Sequence, residues 1–379
     1  MSFPGSARIA LRNQQCLRRT FAAFAVILAG LSISCGSSSS SSSAIHNAYI
    51  TLPVGSVQLL QLNNSTGAIT LGSKTPPVAG ATPTGLALHP SKKFLFVANS
   101  AQNTISVFNI ASDGTLTVSG NPTPAGTGPR GMVLDSSGQY LLVTNTVSKD
   151  VSVFSVDSGT GALAAVGSPV AAGDQPTEIL LTPAPSGEFV YVTNPSTGYI
   201  TAFTFAGGIL SSNVPGSPYF SGAGLSALAV ESGGHFLYAA NTIANTISGF
   251  AINANTGALT VVPGSPFSSA GGTGPSALSM DTANKFLYVS TQGASDSIWA
   301  FTWNTTSGTL TAASNSPFNL LSAGGLFLVM EPNGGFFYVG SSSGNIAALQ
   351  YSAGNAAPTA VTGSPFSTGS APGKMVIVH

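Results

Sequence analysis

Runs of five or six apolar, aromatic and β-branched residues recur along the chain, most of them ended by a polar residue, usually asparagine. Phe189 to Asn194 reads Phe-Val-Tyr-Val-Thr-Asn, and its relatives are Phe94 to Asn99, Tyr140 to Asn145, Phe236 to Asn241, Phe286 to Thr291 and Phe336 to Ser341. Ala48-Tyr49-Ile50-Thr51 is a shortened further copy. Such runs are too short for helices and rich in strand formers, so each predicts a strand buried on both faces. With Ile50, Val97, Val143, Val192, Ala239, Val289 and Val339 as register marks, the spacings are 47, 46, 49, 47, 50 and 50. A period of that size identifies a repeat architecture built from one supersecondary unit.

Each unit predicts four strands. In the copy from Thr84, Leu86-Ala87-Leu88 is a short apolar strand, His89 to Lys93 a turn, Phe94 to Asn99 the second strand and Thr104 to Ile110 the third. The third alternates polar and apolar residues, which predicts one buried face. Ser112-Asp113-Gly114 is a hairpin turn, and Leu116 to Ser119 closes the unit. The corresponding turns Asn63 to Gly67, Asp157 to Gly161, Asn253 to Gly257 and Asn304 to Gly308 begin with a side chain that bonds locally and end with the residue most tolerant of positive φ. Gly-Ser-Pro follows the fourth strand at Gly167, Gly216, Gly264 and Gly363, with Asn315-Ser316-Pro317 as a variant, and predicts a strand stop on an outer edge.

First strands precede second strands at Leu86, Met132, Ile179, Leu228, Leu278 and Leu328, but nothing equivalent precedes Tyr49. The chain instead ends on Lys374-Met375-Val376-Ile377-Val378-His379, a first strand with no successor. The two halves complete each other, which predicts an all-β, seven-bladed β-propeller of four-stranded antiparallel blades, closed by the C-terminal strand joining the N-terminal blade. An open solenoid would need polar caps, and Val376 and Ile377 make a poor one.

The N-terminal segment follows other rules. Arg8, Arg12, Arg18 and Arg19 lead into the apolar run Phe21 to Ile33, which is too short to span a bilayer and fits the core of an export signal. Leu31-Ser32-Ile33-Ser34-Cys35 resembles the lipobox of bacterial lipoproteins, with Ser32 where that family usually has leucine. The resemblance implies lipidation at Cys35 and anchoring at the bacterial cell envelope, in the periplasm or on the surface. The organisation expected is a signal at 1–34, a serine-rich tether at 35–45 and the propeller at 46–379. Outside the first twenty residues, seven basic side chains face eleven acidic ones, and only 6% of the chain is charged. No basic face exists for nucleic acid. A monomer without disulfide, metal or cofactor is expected.

Tyr191-Val192-Thr193-Asn194, Phe94 to Asn99 and the first strands of the form Pro-x-Gly-Leu-Ala-Leu-His-Pro resemble YVTN-type β-propeller repeats and the lactonase family, which includes bacterial 6-phosphogluconolactonase. The resemblance covers about residues 45 to 379 and implies a channel mouth where first strands begin. Several blades of that family carry histidine there. Here Gly128-Pro129-Arg130-Gly131 has Gly131 in its place, and Pro176-Thr177-Glu178-Ile179 keeps a glutamate resembling the family's Ala-Glu-Ile. Lactone hydrolysis needs a base and an oxyanion stabiliser. Glu178 and Arg130 are the catalytic candidates, and Arg130, Lys149, Glu178 and Lys374 the binding candidates. His89, Asp135, Glu231, Asp281, Glu331 and His379 share one register beside turn residues and read as turn-bonding groups rather than metal ligands. The missing histidines favour a non-catalytic, envelope-anchored module that binds a protein, glycan or small molecule at a propeller face, using loops such as Asn145 to Asp150 and Thr291 to Asp296. A hydrolase of sugar lactones is the second expectation.

Overall fold

Strand formers at a fixed period produce a ring. The computed structural model describes residues 45–75, 82–184, 187–268, 273–292, 297–314, 316–319, 323–352 and 354–378. The proposed signal, the tether up to residue 44 with Cys35, most of the loop Thr291 to Asp296, and His379 lie outside them. Among the described residues the strands form seven antiparallel sheets and no helix. Blades 2 to 7 open with the inner strands Pro83–Leu88, Pro129–Leu134, Ile179–Ala184, Leu225–Val230, Pro275–Met280 and Gly325–Met330. Blade 1 is composite: Met375–Val378 lies innermost, followed outward by Ile45–Leu52, Ser56–Asn63 and Ile69–Lys74. Asn47 pairs with Val378 and Ile50 with Met375, which is the expected closure. Ile45 and His46, read above as the end of the tether and the start of the domain, both stand in this sheet. His46 Nδ1 reaches the buried Glu331 of blade 7 at 2.5 Å, a second tie across the same joint.

Seven apolar cores lie between neighbouring blades, the joint between blades 7 and 1 included. Second strands such as Phe94–Asn99 and Phe236–Asn241 are buried along their whole length because each blade is covered on both faces. One grip recurs at these interfaces. The first phenylalanine of a second strand lies on the hairpin glycine of the next blade: Phe94 on Gly161, Phe189 on Gly257, Phe236 on Gly308 and Phe336 on Gly67. A Cβ at Gly161 would stand 2.7 Å from the Phe94 ring, so only glycine fits there. Tyrosines also reach these hairpins or their equivalents: the hydroxyls of Tyr49, Tyr191 and Tyr238 donate to the carbonyls of Gly114, Gly257 and Gly308 at 2.6 to 2.7 Å. Burial pushes these phenols well above their usual range, so they stay protonated donors.

Two expectations change in detail. The third strands are buried on both faces over their first half, as in Thr246–Ile252, because small residues complete each face: Ser248 beside Phe250 on one and Gly249 beside Ile247 on the other. Gly-Ser-Pro interrupts the outer strand rather than ending it. In blade 5, Leu259–Val261 covers one half of the third strand and Phe267–Ser268 the other. The serine bridges the gap: Ser265 Oγ accepts from the Gly249 amide at 2.9 Å, and Ser217, Ser316 and Ser364 do the same for Ala202, Ala300 and Ala348 at 2.9 to 3.1 Å. The motif therefore satisfies the one third-strand amide that neither outer piece reaches.

The closure makes the first prediction. A chain ending at Lys374 loses the burial of Met375 and Ile377, about 1.5 to 3 kcal/mol each, and exposes a strand edge. Urea unfolding should show a drop of about 3 to 6 kcal/mol with aggregation, whereas removing Ser37 to Ser41 should leave the midpoint unchanged. Equal midpoints for the two truncations would speak for an open array.

Candidate functional site

First strands all begin at one end of the ring, and their opening residues surround a cavity of about 590 Å³. Thr84, Arg130, Glu178, Ser226, Ser276, Gln292 and Lys374 supply its polar lining, with Leu326 and Phe327 of blade 7 among the apolar residues. Three of the four predicted binding residues therefore meet in one mouth. Lys374 Nζ donates to Glu178 Oε1 at 2.6 Å, so an ammonium of blade 1 and a carboxylate of blade 4 join across the ring while both stay partly open to solvent. Arg130 is exposed, and its side chain has no hydrogen bond or ion pair among the described residues. Lys149 stands apart. Its ammonium pairs with Asp174 at 2.5 Å on an exposed loop, and this bond, with help from Ser196, holds the Asp174 carboxyl below its usual range.

Backbone geometry explains why Glu178 and Lys374 meet. The Glu178 amide donates to Thr193 Oγ1 at 2.9 Å and its carbonyl accepts from the Thr193 amide at 3.0 Å. Lys374 makes the same two bonds with Thr51, at 2.9 and 3.0 Å. Two matched clamps thus present the two side chains at one height from opposite sides. In blade 3 the Gly131 amide donates to Thr144 Oγ1 at 2.8 Å. A Cβ at Gly131 would collide with the carbonyl oxygen of Thr177, so the histidine that the family resemblance implies has no room here. The second strands of blades 1, 3 and 4 carry threonine at this position, whereas Ala98, Ala240, Ser290 and Gly340 occupy it elsewhere. Those three blades are the ones that bring Lys374, Arg130 and Glu178 to the mouth. That threonine is the signal in the sequence that would have singled them out.

Other mouth hydroxyls are structural. Thr84 donates to Pro129 O at 2.8 Å, Ser226 to Pro275 O at 3.2 Å and Ser276 to Gly325 O at 2.6 Å, each stitching one inner strand to the next. The asparagines that end second strands brace the third. Their amides mostly reach hydroxyls on that strand, as Asn99 does with Ser106 at 2.8 Å and Asn241 with Ser248 at 2.9 Å. The acidic register at the far end of the first strands does bond its turns: Asp281 accepts the Lys285 and Phe286 amides at 2.6 and 2.8 Å, and Glu231 the Gly233 amide at 2.5 Å.

A sequence profile of the family described as lactonase, seven-bladed β-propeller, matches residues 53–181 and 181–320. No curated protein sequence matches significantly. Among solved structures, a candidate 6-phosphogluconolactonase of Bacteroides fragilis superposes with a TM-score of 0.76 at 19% identity, over 90% of this chain and 99% of that one. The periplasmic gluconolactonase of Pseudomonas aeruginosa gives 0.73 at 18% identity, over 89% and 99%. These structures share the fold. The family match overturns the expectation of a non-catalytic binding module. That expectation rested on absent histidines, whereas the ring gathers a carboxylate, an ammonium and a guanidinium from three distant stretches into one cavity.

The threonine clamps make the second prediction. Thr193→Val leaves the part-buried Glu178 amide without its acceptor and should cost about 1 to 3 kcal/mol in urea unfolding, with Thr193→Ser recovering most of it. Wild-type stability in Thr193→Val would show that the clamp contributes nothing.

Proposed function

Because the chain belongs to the lactonase family of seven-bladed β-propellers, we propose that it hydrolyses a cyclic ester at the mouth formed by Glu178, Lys374 and Arg130. The observation that carries this reading is the 2.6 Å contact between Lys374 Nζ and Glu178 Oε1 inside a cavity that also holds the unpaired Arg130. Glu178 has a second carboxylate oxygen to take a proton from water as the water oxygen bonds to the lactone carbonyl carbon. The Lys374 ammonium, with donors beyond the one given to Glu178, and the Arg130 guanidinium hold the developing oxyanion. Collapse breaks the ring ester bond, and the protonated Glu178 returns its proton to the leaving alkoxide, which yields an open hydroxy acid. With Lys374 neutralised by Glu178, Arg130 is the one uncompensated charge among the described residues of the mouth, which fits an unphosphorylated lactone better than a phosphorylated one.

The third prediction follows from these roles. Purified protein should hydrolyse simple lactones with saturation, Glu178→Gln should lower kcat by a factor of 10² or more, and Arg130→Ala should act mainly through KM. Unaltered turnover in Glu178→Gln would remove the carboxylate from the mechanism.

We also propose that the protein is exported and lipid-anchored through Cys35, with the serine-rich segment as spacer. The fourth prediction is that the mature N-terminus carries the mass of acyl chains and partitions into detergent, and that Cys35→Ala does neither. An unmodified Cys35 in mature wild-type protein would rule the anchor out.

A further inference from the structure

A second cavity, of about 530 Å³, opens at the other end of the ring, where the inner strands finish. Its lining is apolar in character: Leu88, Met132, Leu134, Met330 and Ile377 are among its walls. Asp135 is the one ionisable residue among its described lining residues, and its carboxylate is already engaged, Oδ1 by the Tyr140 amide at 2.7 Å and Oδ2 by the Ser137 hydroxyl. Val329 and Met375 line both this cavity and the mouth. The two spaces are therefore neighbours along the flank of blades 7 and 1, with these two side chains between them. Met375 directly follows Lys374, so the residue that divides the two cavities is the chain neighbour of the one that carries the mouth's ammonium.

We infer that the lower cavity receives an apolar chain carried by the substrate, so that the protein acts on amphipathic lactones whose ring ester sits in the mouth and whose alkyl substituent runs past Val329 and Met375. This deepens the lactone-hydrolase reading and rests on it for the reacting end. The mouth itself argues against a polyhydroxylated substrate. The hydroxyls of Thr84, Ser226 and Ser276 give their protons to backbone carbonyls, which leaves them only as acceptors towards a sugar. An alkyl chain needs no such partners, and its transfer from water into an apolar channel is favourable in proportion to its length.

The experiment compares δ-valerolactone, δ-octanolactone, δ-decanolactone and δ-dodecanolactone with glucono-δ-lactone on the wild-type protein. The expected result is a kcat/KM that rises about fourfold for each added methylene until the cavity is filled. Met330→Trp, or Met132→Trp should the first fail to fold, narrows the lower cavity and should flatten that series. A flat series in the wild type, or glucono-δ-lactone processed faster than δ-dodecanolactone, overturns the alkyl subsite and leaves the hydrolase reading standing. Absence of turnover with every lactone removes the hydrolase reading instead. The subsite is then decided by calorimetry with the lactam analogue of δ-dodecanolactone: binding that is lost in the tryptophan variant supports it, and no binding overturns it.

Discussion

The grip of an aromatic pair on the next blade's hairpin is the contact on which this ring depends. A four-stranded blade alone would leave two apolar faces in water, and each face finds cover only on a neighbour. Phe189 and Tyr191 show how that cover is aligned. The phenylalanine ring lies on Gly257 and the tyrosine hydroxyl bonds the carbonyl of the same glycine, so one hairpin meets both a steric and a polar condition. The contact between Phe336 and Gly67 carries the pattern across the joint between the last and the first blade. Closure is therefore a continuation of the same packing, reinforced by the C-terminal strand and the tie between His46 and Glu331.

Rigidity of this kind is what lets a sparsely charged protein build a site. The mouth holds few ionisable groups, and their arrangement rests on backbone clamps rather than on a dense polar network. Thr51 and Thr193 fix the amides of Lys374 and Glu178, and the side chains meet because the blades that carry them are held on opposite sides of the ring. The cost of desolvating this pair is limited because both partners remain partly exposed. Arg130 stays outside the pair and keeps its full charge for an incoming ligand. At the equivalent positions blades 2, 3, 5 and 6 carry the small residues Gly85, Gly131, Ala227 and Ala277, and blade 7 carries Phe327.

The repeat itself was legible because core positions obey local rules. A buried strand must be apolar throughout, a hairpin needs Asn or Asp at its start and glycine at its end, and a missing first strand must be supplied from elsewhere in the chain. Those rules act within some fifty residues, so a single sequence displays them, and the unmatched Met375 to Val378 announced the closure. The roles of Ser265 and its relatives were less visible. The amide each serine satisfies belongs to a strand about fifteen residues earlier, and the need arises only once the outer strand is seen in two pieces.

Alone, then, the sequence determined the fold class, the blade number, the turn chemistry and the set of charged residues that open the inner strands. Tertiary structure alone decided which of those charges act together. Lys374 and Glu178 lie 196 residues apart in the chain and meet at 2.6 Å, while Lys149, near Arg130 in sequence, is carried outward to Asp174. It also decided that a histidine beside Arg130 would strike Thr177, and that the polar mouth adjoins an apolar cavity at Met375. The physical reason is that a strand's burial follows from its own residues and those one repeat away, whereas the composition of a channel depends on how all the blades are turned about a common axis.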